Sequence, residues 1–278
     1  MKTNITPKVS VIMGIYNCGT TLQEALDSLY AQTYQDFEII LCDDGSSDNT
    51  HQIAYENQQK HTNIVLLKNS YNMGLNQTLN NCLAVAKGEY CARMDGDDVC
   101  DPTRFEKQVA FLDQNPDFAL VGSGRYLFDE NGKWGEMSCI EFPTVKDVLT
   151  HVPCFCHPSI MMRTEVYRAV GGYSVEDRLI RVEDCHLWFK GYSKGYKGAN
   201  LLEPLHSLRV DRNAISRRTW KARRNGIYVM YCGYKMFKLP WFSYIRLIKL
   251  SIMEIAKYLM PMPVYEYLHR KNRSLCLK

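Results

Sequence analysis

Between Val9 and Met94 four short β-rich runs alternate with three stretches of helical pattern, and this alternation constrains the fold more than any other feature of the chain. Val9–Met13, Phe37–Cys42, Ile64–Leu67 and Tyr90–Met94 read as buried strands, each short and rich in apolar or β-branched residues. Leu22, Ala25, Leu26 and Leu29 recur at helical spacing behind Thr20 or Thr21 as N-cap. Leu75, Leu79, Leu83 and Ala86 do the same ahead of Gly88, which reads as a helix stop. A polar helix follows the turn Asp43–Asp48. Such repetition predicts an α/β fold, an open and mostly parallel sheet with helices on both faces. Ligands of these sheets bind at the carboxyl ends of strands. Three of those ends carry distinctive residues here: Tyr16-Asn17, Asp43-Asp44 and Asp95-Gly96-Asp97-Asp98.

Beyond the cluster, Asp101 and Pro102 read as the cap and first residue of a helix with Phe105, Val109 and Leu112 on one face. Phe118–Ser123 reads as a strand, Tyr126–Trp134 as a hairpin around Asn131-Gly132, and Thr164–Val170 and Val182–Lys194 as helices. At 278 residues the chain can form one large domain with an appendix, and 46% apolar with 23% charged residues excludes a disordered class. Charge divides the chain: residues 217–278 carry 14 Lys/Arg and two acids, whereas 1–216 carry 20 Lys/Arg and 28 acids. An acidic domain over 1–216 and a basic helical tail over 217–278 are therefore expected to do different work. The 11 cysteines form no Cys-x-x-Cys pair and read as reduced thiols of a reducing compartment. The N-terminus shows no apolar secretory core, and no stretch is long and apolar enough to be expected to span a membrane.

Three carboxylates within Asp95-Gly96-Asp97-Asp98 repel one another unless a cation is present, and oxygen ligands suit Mg²⁺ or Mn²⁺. An acidic turn can also be only a solvated cap, but the end of a central strand favours the metal. Asp44 can be a turn residue or a carboxylate that meets a base or ribose. Glu183-Asp184, with Trp188 one turn on, can be ordinary helix-start electrostatics or a general base for an acceptor hydroxyl. Cys154, Cys156, His157, Cys185 and His186 lack the usual zinc spacings. In the tail, Ser243, Arg246, Lys249, Glu254 and Lys257 share one helical face, and isoleucines and leucines cover most of the rest behind Trp241-Phe242. A basic amphipathic helix with aromatics fits an anionic membrane surface, the alternative being a helix packed on the domain. No nucleic-acid motif accompanies the charge.

The ordered set of motifs resembles the inverting glycosyltransferases of family 2, with the GT-A fold. The resemblance spans residues 7–216 through Pro7–Asn17, Phe37–Ser47, Gly88–Asp98, His157-Pro158-Ser159, Gly171-Gly172-Tyr173 and Glu183–Trp188. It implies a nucleotide-sugar half over about residues 1–100 and an acceptor half over about 101–216. It also implies roles: Tyr16 stacked near the donor base, Asp44 on the base, Asp95 on the ribose or metal shell, and Asp97 on the metal. On the acceptor side it implies Asp184 as catalytic base with Glu183 beside it, and His157 and Trp188 near the acceptor or diphosphate. Where the family usually reads Tyr-Arg-x-His, this chain has Leu208-Arg209-Val210-Asp211, leaving Arg209, or Arg212, for the phosphate contact. The implied reaction moves a sugar from a UDP-sugar to a glycan or lipid-linked acceptor, with Mn²⁺ or Mg²⁺, in cell-surface polysaccharide synthesis. The implied place is the cytoplasmic face of the inner membrane, held peripherally. A metal-dependent nucleotidyltransferase on a similar sheet, or a non-catalytic nucleotide-sugar-binding protein, is the competing reading.

Overall fold

The structure is a computed structural model that describes residues 6–150, 154–210 and 219–259. Its first half runs β1 (Val9–Ile15), α1 (Leu22–Tyr30), β2 (Phe37–Asp43), α2 (Thr50–Lys60), β3 (Ile64–Lys68), α3 (Leu75–Val85) and β4 (Tyr90–Arg93). These strands pair in parallel in the order β3-β2-β1-β4. Successive side chains of a strand point to opposite faces, and both faces are apolar here. Val9, Val11 and Met13 pack with Leu22, Leu26 and Leu29 of α1 on one side. Ile12, Ile40 and Cys42 pack with Leu79 and Cys82 of α3 on the other. Each buried leucine contributes about 1.5–3 kcal/mol, so the two-sided pattern by itself holds the sheet between helices.

The second half comprises β5 (Val99–Cys100), α4 (Arg104–Gln114), β6 (Phe118–Asp129), β7 (Gly132–Met137), α5 (Val145–Thr150), β8 (Met161–Arg163), α6 (Thr164–Val170), α7 (Glu183–Ser193), β9 (Lys197–Arg209), α8 (Trp220–Met236) and α9 (Ile245–Leu259). Here the sheet becomes mixed. β8 runs antiparallel to β4 and β6, β9 is parallel to β6, and β5 is antiparallel to β9. A one-turn helix at His157–Ser159 leads into β8, so the chain meets β4 without the helical crossover that a parallel neighbour needs.

Three local expectations change. Thr21 makes no capping bond, and its Oγ1 instead donates to the Gly96 carbonyl at 2.9 Å, tying α1 to the acidic loop. Asp101 sits ahead of α4, where its Oδ1 accepts from Thr103 N at 2.9 Å and Thr103 Oγ1 at 2.7 Å. Gly88 stands beyond the end of α3, and a Cβ there would lie 2.5 Å from Ser10 N, so glycine is required for close approach to β1.

α8 belongs to the core. A Cβ on Gly233 would come within 2.7 Å of the Phe189 ring, and Val229, Met230 and Tyr234 share a cluster with Trp188. α9 buries Leu247 and turns Ile248, Ile252, Met253 and Ile255 outward, while Glu254 faces in to pair with Arg223 at 2.7 Å. Trp241, just before it, is 81% exposed. Among the described residues no helix is long and apolar enough to cross a membrane.

Candidate active site

The carboxyl ends of β1, β2 and β4 converge because the three strands are parallel neighbours. Their loops are stitched together. Asn17 N donates to Ser46 Oγ at 3.1 Å, Ser47 N to Asn17 Oδ1 at 2.9 Å, and Cys18 N to Thr50 Oγ1 at 2.8 Å. Asn17 adopts φ +47, a left-handed conformation that asparagine tolerates. A slot of about 180 Å³ opens beside them, lined by Gly14, Tyr16, Asp44, Asn72 and Gly74 among others. Tyr16 is 48% exposed at this slot. Asp44 is buried, and its carboxylate accepts from Asn69 Nδ2 and Met73 N at 2.8 Å and from Gly74 N at 2.9 Å. These bonds hold the 71–74 loop as the slot's wall, so Asp44 shapes the slot as well as facing it.

β4 delivers the acidic cluster. One carboxylate oxygen from each of Asp95, Asp97 and Asp98 lies within 4.8 Å of the others. Gly96 is needed for packing rather than for an unusual backbone angle, since a Cβ there would meet Cys18 Sγ at 2.8 Å. The three carboxylates have different surroundings. Asp98 is buried, accepts from Arg209 N at 2.8 Å and lies 2.9 Å from His206 Nε2. Asp95 pairs with the Arg93 guanidinium. No other described residue gives the Asp97 side chain a hydrogen bond or an ion pair, and it is exposed at the cleft. The protein mass around it, then the Asp98 and Asp95 charges, push its carboxyl up to about 7. That is the signature of a carboxylate set short of positive charge. Hard oxygen donors at this spacing fit Mg²⁺ or Mn²⁺, and the open Asp97 with Asp95 beside it are the residues that would hold the ion.

Arg93 is the residue that the sequence reading missed. It sits in β4, is 2% exposed and looked like an ordinary strand position. Burial opposes its charge, but Asp95 more than offsets that and holds it protonated. Its charge reaches both halves of the site, pulling down the carboxyls of Asp97, Asp98, Glu183 and Asp184 and disfavouring a proton on His157. A buried cation paired with one carboxylate and acting electrostatically on four more is an electrostatic hub.

Glu183 and Asp184 open α7. Burial, then the Asp184 charge, pushes Glu183 up to about 7. Burial also raises Asp184, whose Oδ1 accepts from Cys185 N at 2.8 Å. Both are thus carboxyls of weakened acidity at a helix start, which makes them better proton acceptors than ordinary carboxylates. His157 is buried, with Nε2 2.8 Å from the Tyr173 hydroxyl, and burial keeps it neutral. Trp188 is 2% exposed and packs on Phe155 and His157, so its ring backs the site and does not line it. Arg209 is drawn to the acidic loop: Nε donates to the Asp97 carbonyl at 2.8 Å, and the guanidinium pairs with Glu24 and covers the Phe128 ring. Asp211 and Arg212 lie outside the described residues.

This arrangement agrees with comparison to known proteins. Residues 10–171 match the profile described as Glycosyl transferase family 2. EpsE of Bacillus subtilis (strain 168), which carries a glycosyltransferase name, is 40% identical over 270 residues, covering 97% of this chain and 95% of EpsE. The chain belongs to glycosyl transferase family 2. Within the family, the Escherichia coli protein named UDP-Glc:alpha-D-GlcNAc-diphosphoundecaprenol beta-1,3-glucosyltransferase WfaP is 33% identical over 192 residues, 69% of this chain and 73% of WfaP. The fold matches the mannosyltransferase PcManGT from Pyrobaculum calidifontis, solved with GDP-Man and Mn²⁺, at a TM-score of 0.65 with 18% identity over 99% of this chain and 82% of that one. The glycosyltransferase is thus a mixed α/β sheet flanked by helices, as its solved relative is.

Proposed function

We propose that this glycosyltransferase moves one sugar, with inversion, from a UDP-sugar to a hydroxyl of a lipid-linked glycan in cell-surface polysaccharide synthesis. The observation that carries the reading is the open Asp97 carboxylate, which shares the Arg93 charge with Glu183-Asp184. Two carboxylate groups with one cation between them provide a donor end and an acceptor end. Tyr16 and the slot walled by Asp44 take the nucleoside. Asp97, with Asp95, holds Mn²⁺ or Mg²⁺, and the ion when bound offsets charge on the leaving diphosphate. Asp184 takes the acceptor hydroxyl proton as the new carbon–oxygen bond forms, and Glu183 sets the charge beside it. His157, neutral and oriented by Tyr173, holds the wall behind the reacting sugar. Arg209 fixes the acidic loop through the Asp97 carbonyl and keeps a cation near the diphosphate.

A UDP donor and a diphospholipid acceptor are what the WfaP name prints, whereas the PcManGT structure holds GDP-Man. Outward isoleucines on α9, led in by exposed Trp241 and Phe242 and accompanied by Lys249, support peripheral attachment to an anionic membrane. The division of labour at residue 216 falls inside a stretch beyond the described residues. The test is a panel of radiolabelled UDP- and GDP-sugars with a bacterial lipid extract as acceptor. Label in the lipid phase with release of UDP supports the reading. Release of pyrophosphate would instead mark a nucleotidyltransferase, and nucleotide-sugar binding without turnover a non-catalytic protein.

A further inference from the structure

Another open space lies away from the donor slot. It is a groove of about 680 Å³ where α5, α8 and α9 meet the segment leading into α7. Leu149, Val182, Val229, Met230, Tyr234 and Leu250 give it an apolar lining. One acid, Glu254, enters it and is neutralised by Arg223 at 2.7 Å. Two further cations, Arg181 and Arg246, line the groove, are exposed, and have no ion pair or side-chain hydrogen bond among the described residues. The groove therefore combines an apolar floor with two arginines at its rim, and 680 Å³ is within the range of ligand sites. Arg181 is also held at φ +68, a left-handed conformation that is uncommon for a non-glycine residue.

We infer that this groove binds the acceptor lipid, as an isoprenoid chain on the apolar floor with its diphosphate between Arg181 and Arg246. The inference rests on the lipid-linked acceptor proposed above and gives that acceptor a site. Guanidinium groups match phosphate oxygens in geometry and charge. Arg181 stands three positions before Asp184, at most about 11 Å of chain. A sugar carried on that diphosphate therefore lies within reach of the base. Gly226 provides a clean probe. It lines the groove, and a Cβ there meets nothing within 4 Å, so a side chain can be started at this position without a clash at its first atom.

The experiment titrates geranylgeranyl diphosphate into the full chain in EDTA, alongside geranylgeraniol, inorganic pyrophosphate and dihexanoyl phosphatidic acid. The diphosphate lipid is expected to bind at least tenfold more tightly than any of the other three. Gly226→Phe, and separately Arg181→Gln with Arg246→Gln, should each weaken it at least tenfold and leave UDP binding with Mn²⁺ unchanged. Undiminished binding in the arginine variant, displacement by UDP, or equal binding of the phosphatidic acid would overturn the assignment. Loss of affinity for the lipid with intact UDP binding in wild type sinks the groove alone. A wild-type chain that binds the lipid but not UDP keeps the groove and sinks the donor reading.

Discussion

Asp98 Oδ2 and His206 Nε2 lie 2.9 Å apart, joining the acidic loop to β9 across 108 residues of sequence. Arg104 Nη1, a donor only, stands 3.4 Å from His206 Nδ1, so that nitrogen accepts and Nε2 carries the proton toward Asp98. Burial and then the Asp95 charge push Asp98 up, and the donor from Arg209 works against them. Asp98 is thus an anchor for the loop on which Asp97 stands.

Replacing His206 by Phe should leave buried Asp98 short of a donor. The expected loss is about 1–3 kcal/mol of stability, read as a lower denaturant midpoint, together with weaker Mn²⁺-dependent UDP binding as the loop loosens. An unchanged midpoint would show that the pair does no anchoring.

Glu183 should make stability fall with rising pH. Its folded pKa, about 7, lies above the unfolded value of 4.5, so between them the folded state binds more protons than the unfolded one. The unfavourable contribution is absent below pH 4.5, grows through the interval, and is complete above pH 7. Glu183→Gln should therefore melt higher than wild type at pH 8 and converge with it near pH 4.5. A constant difference across that range contradicts the assignment.

Arg93 holds down both carboxyls at the start of α7. In Arg93→Met the acid limb of the pH–rate profile should move to higher pH, with part of the lost rate recovered on the alkaline side. A uniform loss at every pH would mean that Arg93 acts only through Asp95.

Changing Trp241, Ile248 and Ile252 together to Ser removes exposed apolar surface at and before α9 without touching its buried Leu247. Sedimentation with anionic vesicles should fall at least fivefold while UDP binding persists. Equal sedimentation would place any membrane contact elsewhere.

The first half of this fold was readable because its strands are apolar on both faces and its helices carry a 3.6-residue stripe, as in Leu22, Leu26 and Leu29. Asp95–Asp98 was readable as a cluster because its three carboxylates follow a central strand, at the end where ligands of such sheets bind. β9 was not readable, for its thirteen residues mix Glu203, Pro204 and His206 with leucines and show three register shifts against β6. Long-range partners decided the rest. Nothing local marks Arg93 as the counter-charge of two carboxylate groups, or His206 as the donor that occupies Asp98. Likewise Trp188 looked like a site aromatic until Phe155 and His157 closed over it.

The claim on which the account depends is that Asp97 supplies the open ligand for a donor-binding cation. Calorimetric titration of UDP into wild type and Asp97→Asn, each with Mn²⁺ and with EDTA, tests it directly. Wild type should bind at least tenfold more tightly with Mn²⁺ than with EDTA, and Asp97→Asn should bind equally weakly in both while unfolding at or above the wild-type temperature. Equal affinity of wild type with and without the metal, or a full metal response in Asp97→Asn, would contradict it.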